Sequence, residues 1–308
     1  MCCLFGMMDY GNNFTGKQKS RMISALAVEA ESRGTDATGI AYNSRGRLRV
    51  YKRPLPAHRM KFHIPDDAKV VLGHTRLTTQ GSEKRNFNNH PWLGSAGSKS
   101  FALAHNGVLR NDKTLRKSMK LPETKIETDS YIAVQLLQKK NALDFDSLKA
   151  MAEKVEGSFA FAVLDNEDTL WFVKGDNPLC IYHYSTMGLY LYATTEEILS
   201  RAVKRMGLLR EKPNKIVLDC GEILSIDEKG LRQKEQFDDS HLFRGWYSWP
   251  EFRHWGFRPA QTTVESEYLN ELKAVASAYG YSPEHIDSLL ANGFTTDELE
   301  ELLYCGEI

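Results

Sequence analysis

Apolar positions early in the chain follow two periods. Cys3 to Met8 is a short apolar run, and Thr38–Tyr42, Leu48–Tyr51 and Val70–Thr75 are further strand-like segments set between turn residues. Within Gln18–Ser32, Ile23, Leu26, Ala27 and Ala30 recur at spacings of three and four, which predicts a helix with one buried face. A second helix is expected after Asp129, carrying Ile132, Gln135, Leu136 and Lys139 on successive turns, and a third carries Leu148, Met151, Ala152 and Val155. Phe159–Leu164, Leu170–Val173, Leu179–Tyr184, Leu189–Ala193, Lys215–Leu218 and Glu222–Ile226 then read as strands at close spacing. Many are apolar on both faces. Long sheets buried on both sides, with few helices to cover them, favour two stacked sheets between helical layers over a Rossmann arrangement.

The pattern changes near Phe237. Trp246, Tyr247, Trp249, Phe252 and Trp255 fall among basic residues and Pro250, which reads as an ordered aromatic connector over 237–260. Its rings either pack on the preceding domain or dock a partner. Residues 261–308 then show three short helical patterns, Tyr268–Ala278, Pro283–Leu290 and Thr296–Tyr304, broken at Gly280 and Gly293. The run Ile286 to Phe294 is weakly similar to three-helix domains of the ubiquitin-associated type. The expected organisation is a main domain over 1–236, the connector, and this helical module.

Composition narrows the classes. A chain of 308 residues is long enough for about two domains. Its 40 basic and 40 acidic residues leave no net field to gather nucleic acid or an anionic membrane. Five cysteines without a C-x-x-C pair argue against a disulfide framework and a zinc ribbon. No secretory signal and no bilayer-length apolar run is visible, so a cytoplasmic protein is expected.

Candidate chemistry begins at Cys2. Removal of Met1, which a small second side chain permits, would give the thiol a free α-amine of pKa near 8 as its own base. Alone, a cysteine in this position is far more often a packing residue or an accident than a nucleophile. Five polar, glycine-containing or helix-opening segments accompany it: Arg33-Gly34-Thr35-Asp36-Ala37-Thr38-Gly39, Gly73 to Gly81, Asn89-His90-Pro91, Ala104-His105-Asn106-Gly107 and Glu127-Thr128-Asp129. By itself, His-Asn-Gly is a good turn closing the run Phe101–Ala104.

Together these segments, with Glu156-Gly157-Ser158-Phe159-Ala160 and Thr194-Thr195-Glu196 beyond them, closely resemble the class II glutamine amidotransferases, a branch of the N-terminal-nucleophile hydrolases. The resemblance covers about residues 2 to 235. It implies an α+β fold, the four-layer αββα sandwich. It also implies that Cys2 is the nucleophile, with Asn106 and the Gly107 N–H receiving the oxyanion. Arg76 would bind the glutamine α-carboxylate and Asp129 the α-ammonium, with Thr79 and Gln80 at the rim. Arg33, Gly34 and Asp36 would shape the wall beside Cys2, and His74 and His105 would support the site. Cys3 stands where the family usually has Gly, Leu77 where an aromatic is common, and Gln80 where His is common. His74, His90 and His105 lie on separate motifs without the spacing of a zinc set, so no metal or other cofactor is expected.

The implied reaction is hydrolysis of the glutamine side-chain amide through a Cys2 thioester. About 70 residues follow the resembling region, fewer than a typical synthase domain needs. The ammonia is therefore expected to pass to a separate synthase or ligase. The alternatives are a stand-alone hydrolase of a γ-glutamyl or other amide compound, and an inactive binding platform.

Overall fold

In the computed structural model, described over residues 2–207, 211–242 and parts of 269–299, the alternation along the first strand sets the architecture. In β1 (Cys3–Asp9), Cys3, Phe5 and Met7 point to one side and Leu4 and Met8 to the other, and all five are buried. Cys3, Phe5 and Met7 pack with Ile23, Leu26 and Ala27 of helix α1 (Gly16–Ala30). Leu4 and Met8 join Val70, Leu72, Ala102, Ala104, Ala160, Ala162 and Phe172 in a core between two sheets. One strand thus serves two layers, which explains its uninterrupted apolar reading.

The first sheet has the order β11 (Asn214–Ile216), β9 (Cys180–Tyr184), β10 (Leu189–Ala193), β1, β4 (Val70–Arg76), β2 (Ala37–Ser44), β3 (Arg47–Arg53). The second runs β13 (Arg232–Gln236), β12 (Glu222–Ile226), β8 (Leu170–Lys174), β7 (Gly157–Asp165), β6 (Lys99–Leu109), β5 (Trp92–Ala96). Neighbouring strands pair antiparallel throughout both sheets. Helices α1 and α5 (Glu196–Met206) cover the outer face of the first sheet, with Ile198, Leu199 and Ala202 of α5 in the same core. Helices α3 (Tyr131–Lys140) and α4 (Phe145–Ala152) cover the second through Ile132, Leu136, Leu148 and Met151. A short helix, α2 (Asp112–Ser118), follows β6. The result is the expected αββα sandwich.

Local chemistry starts the helices where the layers need them. Thr15 and Gln18 form a reciprocal capping box at α1. At α5, Thr195 accepts from Ile198 N at 3.3 Å, while Glu196 and Glu197 suit the positive end of the helix dipole.

Two elements depart from the sequence expectation. The segment Ala104-His105-Asn106-Gly107 does not close a strand: β6 continues to Leu109, paired with β7 through Gly107↔Phe159 and Leu109↔Gly157. Local turn propensity yields here to sheet pairing. The strand expected over Lys215–Leu218 is reduced to Asn214–Ile216.

The chain divides into two units, Met1–Trp246 and Tyr247–Ile308. Most of the aromatic connector, from 243 onward, lies outside the described residues. In the second unit, α6 (Pro283–Ala291) is capped by Ser282, which accepts from His285 N at 3.3 Å. Ile286 packs there with Leu272, Ala276 and Leu299. The helices expected over Tyr268–Ala278 and Thr296–Tyr304 fall only partly within the described residues, and Cys305 falls outside them.

Candidate active site

The site is built where the leading end of β1 meets the trailing end of β4. The register pairs Cys3 with Thr75, setting Cys2 beside the Arg76 end of β4. Cys2 is half-buried, and its Sγ lies 3.5 Å from the Leu77 carbonyl oxygen. Burial raises its thiol, opposed by the positive charge of Arg76 and reinforced by Asp129. A thiol in this setting needs a base to ionise at neutral pH.

The wall beside Cys2 comes from the turn entering β2. Arg33 donates from Nε to the Cys2 carbonyl at 3.4 Å. Gly34 packs directly on the β4 backbone: a Cβ there would lie 2.5 Å from the Arg76 carbonyl carbon, so only glycine fits. Asp36 donates its N–H to Arg76 O at 2.9 Å and accepts from Thr78 N at 2.7 Å. Asp36 thereby fixes the loop that presents the Leu77 carbonyl to sulfur.

Asn106 and Gly107 come from the second sheet. Asn106 is fully buried, yet among the described residues neither its side-chain nitrogen nor its side-chain oxygen has a partner. Such a group costs about 1–3 kcal/mol and calls for a function. Gly107 has φ +137°, and a Cβ there would stand 2.0 Å from Ser158 O, so no other residue fits without moving β7. His74 bridges the two sheets, with Nε2 2.9 Å from His105 O. That contact brings the Asn106 segment to the strand that carries Arg76.

Arg76 and Asp129 are buried and already engaged. Arg76 donates to Asn89 Oδ1 at 2.6 Å, to Gln80 O at 2.6 Å and to Gly81 O at 3.1 Å. Asp129, just ahead of α3, accepts from Leu109 N at 2.6 Å. Burial raises its carboxyl, while that bond opposes the shift. Both charges are thus held in fixed orientation, the condition for reading a zwitterion. Thr79 is exposed, and Gln80 turns its amide to Glu127 O at 2.8 Å.

The three histidines form a buried, uncharged group. Burial holds His74 and His105 down to about 3 and His90 well below its usual value. His105 Nε2 faces the Ser158 carbonyl at 3.3 Å and therefore carries the hydrogen. Its Nδ1 then accepts from the Ser130 hydroxyl at 2.7 Å. His90 lies between His74 and Trp92, with ring centroids 4.0 and 3.9 Å away.

Three further residues, to which the sequence assigns no role, hold the site together. Asn177 donates to Asn106 O at 2.9 Å, Asn89 holds the Arg76 guanidinium, and Thr194 ties β1 through Leu4 N at 2.8 Å. Asn89 and Thr194 lie inside recognisable motifs, but Asn177 reads only as part of a Gly-Asp-Asn-Pro loop. Cys3, the second thiol of the N-terminal pair, is fully buried against the α1 layer.

Two sheets sandwiched by helices, with a cysteine leading the central strand, define the fold of the N-terminal-nucleophile hydrolases. The glutamine phosphoribosylpyrophosphate amidotransferase from B. subtilis has this fold, with a TM-score of 0.60 and 20% identity over 90% of this chain and 58% of that one. Residues 74–200 match the glutamine amidotransferase domain family. A glutamine–fructose-6-phosphate aminotransferase of Sulfurisphaera tokodaii is 30% identical over 59% of this chain and 31% of its own length. A 7-cyano-7-deazaguanine synthase of Saccharolobus solfataricus is 26% identical over 71% of this chain and 48% of its own. The chain therefore spans between a third and a half of these relatives.

Proposed function

We propose that this protein hydrolyses the side-chain amide of glutamine and hands the ammonia to a separate synthase or ligase. With Met1 removed, the neutral α-amine of Cys2 takes the thiol proton and sulfur attacks the amide carbon. The tetrahedral oxyanion is received by the Asn106 amide and the Gly107 N–H, donors worth about 10²–10³ in rate each. The α-ammonium of Cys2 returns its proton to the leaving nitrogen, ammonia departs, and water cleaves the γ-glutamyl thioester to glutamate. Arg76 and Asp129 hold the α-carboxylate and α-ammonium of the substrate. Thr79 and Gln80 frame the rim, and Arg33, Gly34 and Asp36 keep the wall in place.

The single observation that carries this reading is the buried Asn106 amide with no protein partner, on a segment tied to the strand bearing Arg76. A reaction that uses the ammonia is supported by the relatives, which are named for an aminotransferase and a synthase reaction.

The test is release of glutamate and ammonia from glutamine, with intact mass showing a chain that begins at Cys2. Full activity in a preparation that retains Met1 contradicts the α-amine as base. Turnover should be low in isolation and rise when an acceptor enzyme is present. Fast turnover that no partner changes, or faster turnover on a γ-glutamyl compound, would instead mark a stand-alone hydrolase.

A further inference from the structure

The Asn106 carbonyl and the Gly107 N–H belong to one peptide group. That peptide is trans and planar, so its C=O and N–H point in opposite directions. Whatever grips the carbonyl on one side fixes the direction of the N–H on the other. Asn177 does this: its Nδ2 donates to Asn106 O at 2.9 Å, and the residue is 1% exposed. The carbonyl acceptor also fixes which way the Asn177 amide faces, since a flipped amide would set oxygen against oxygen.

The Gly175–Asn177 segment is held on β7 by three hydrogen bonds to Phe159. The Asn177 N–H reaches Phe159 O at 3.4 Å, Gly175 N donates to the same oxygen at 3.1 Å, and Asp176 Oδ1 accepts from Phe159 N at 2.9 Å. Phe159 is the partner of Gly107 in the sheet register. A Cβ on Gly107 would also come within 2.5 Å of Asn177 Nδ2, so the amide lies against the peptide it serves.

We propose that Asn177 is a positioning residue for the oxyanion site. By donating to Asn106 O it aims the Gly107 N–H and polarises the shared peptide, making that N–H a stronger donor toward the developing oxyanion. Hydrogen bonds in a chain strengthen one another in this way. This inference rests on the glutaminase reading above. Asn177 touches neither sulfur nor substrate, and its contribution falls on transition states rather than on glutamine binding.

The experiment uses the full chain with Asn177→Asp, which keeps the size of the side chain but replaces the donor by an acceptor. At pH 8.5, kcat for glutamine should fall by about 10- to 100-fold, less than the loss of a whole oxyanion donor, with KM and inhibition by glutamate within about twofold of the parent. As pH is lowered toward 6, the variant-to-parent ratio of kcat should rise by about threefold or more, because a carboxyl buried against a carbonyl oxygen is raised well above its ordinary range and, once protonated, regains an O–H donor for Asn106 O. A general loosening of the fold would move KM, glutamate binding and kcat together and would give a flat ratio. Either of those results, or an unchanged kcat, overturns the role of Asn177. A parent chain that releases no ammonia and is not alkylated at Cys2 by a glutamine-like diazoketone would instead overturn the glutaminase reading itself.

Discussion

The two ends of β1 carry buried polar clusters of opposite character. At its trailing end Asp9 and Lys19 form an ion pair at 3.1 Å with both side chains fully buried. Lys19 also donates to Asp66 O and Ala68 O, each at 3.0 Å, and Asp9 accepts from Asn13 N at 2.9 Å and Phe14 N at 3.2 Å. All three ammonium donors and both carboxylate oxygens are used. Toward the leading end, among the described residues, Asn106 has two buried polar atoms without a protein partner, and so does His90. One cluster is closed and stabilises the join between β1, α1 and the loop ahead of β4. The other leaves hydrogen-bonding capacity open on the segment proposed above to receive the oxyanion. The two clusters are alike in burial and differ in how many of their polar atoms have partners.

The sharpest way to break this contrast is to exchange the consequences of mutation. Cys2→Ala should bring glutamine turnover to background while the denaturation midpoint stays close to that of the parent. Lys19→Met should do the reverse, lowering stability by about 3–5 kcal/mol through the stranded Asp9 charge, with the remaining folded protein active. Chemical denaturation and steady-state kinetics on both variants check this, and an active Cys2→Ala would dismiss the nucleophile.

Asp129→Asn is the next largest effect. An asparagine oxygen can still accept from Leu109 N, so β6 keeps its end, but the negative charge offered to the substrate ammonium is gone. The expected loss is about 2–3 kcal/mol in kcat/KM, read mainly as a higher KM. Unchanged glutamine kinetics would remove Asp129 from the pocket.

Acid should weaken the leading end first. His74 and His105 sit at about 3 in the folded protein against about 6.5 in an unfolded chain, so the unfolded state binds more protons between those values. Stability should therefore fall as pH drops from about 6.5 toward 3, by up to about 1.4 kcal/mol per pH unit for each histidine. Equal denaturation midpoints at pH 7 and pH 5 would contradict the buried neutral state. The smallest effect is expected from Cys3→Ala, about 1 kcal/mol of stability for the lost sulfur and no loss of turnover.

Sequence patterning recovers most of the layers because each core strand is apolar on consecutive positions and each covering helix repeats at three and four. It fails at β6, where His105-Asn106-Gly107 has turn chemistry but the pairing with β7 holds it extended. The residue types of the site are legible through their motifs. Their restraints are not: the contacts of Asn89 with Arg76, Asn177 with Asn106, and Lys19 with Asp9 join residues that only the folded topology brings together. Lys19 in particular lies in an amphipathic helix where a lysine reads as solvent-facing, yet it is fully buried.

The position of β1 also governs when the site can exist. Its strand is flanked by β4, about 70 residues later, and by β10, which pairs Phe5 with Ala193. Contacts of such long sequence separation form late and slowly. Both sheet neighbours of β1 are present only in a chain that extends past residue 193. A chain truncated before β10 would therefore leave β1 unpaired along one edge, with Phe5 and Met7 lacking their partners Ala193 and Leu191.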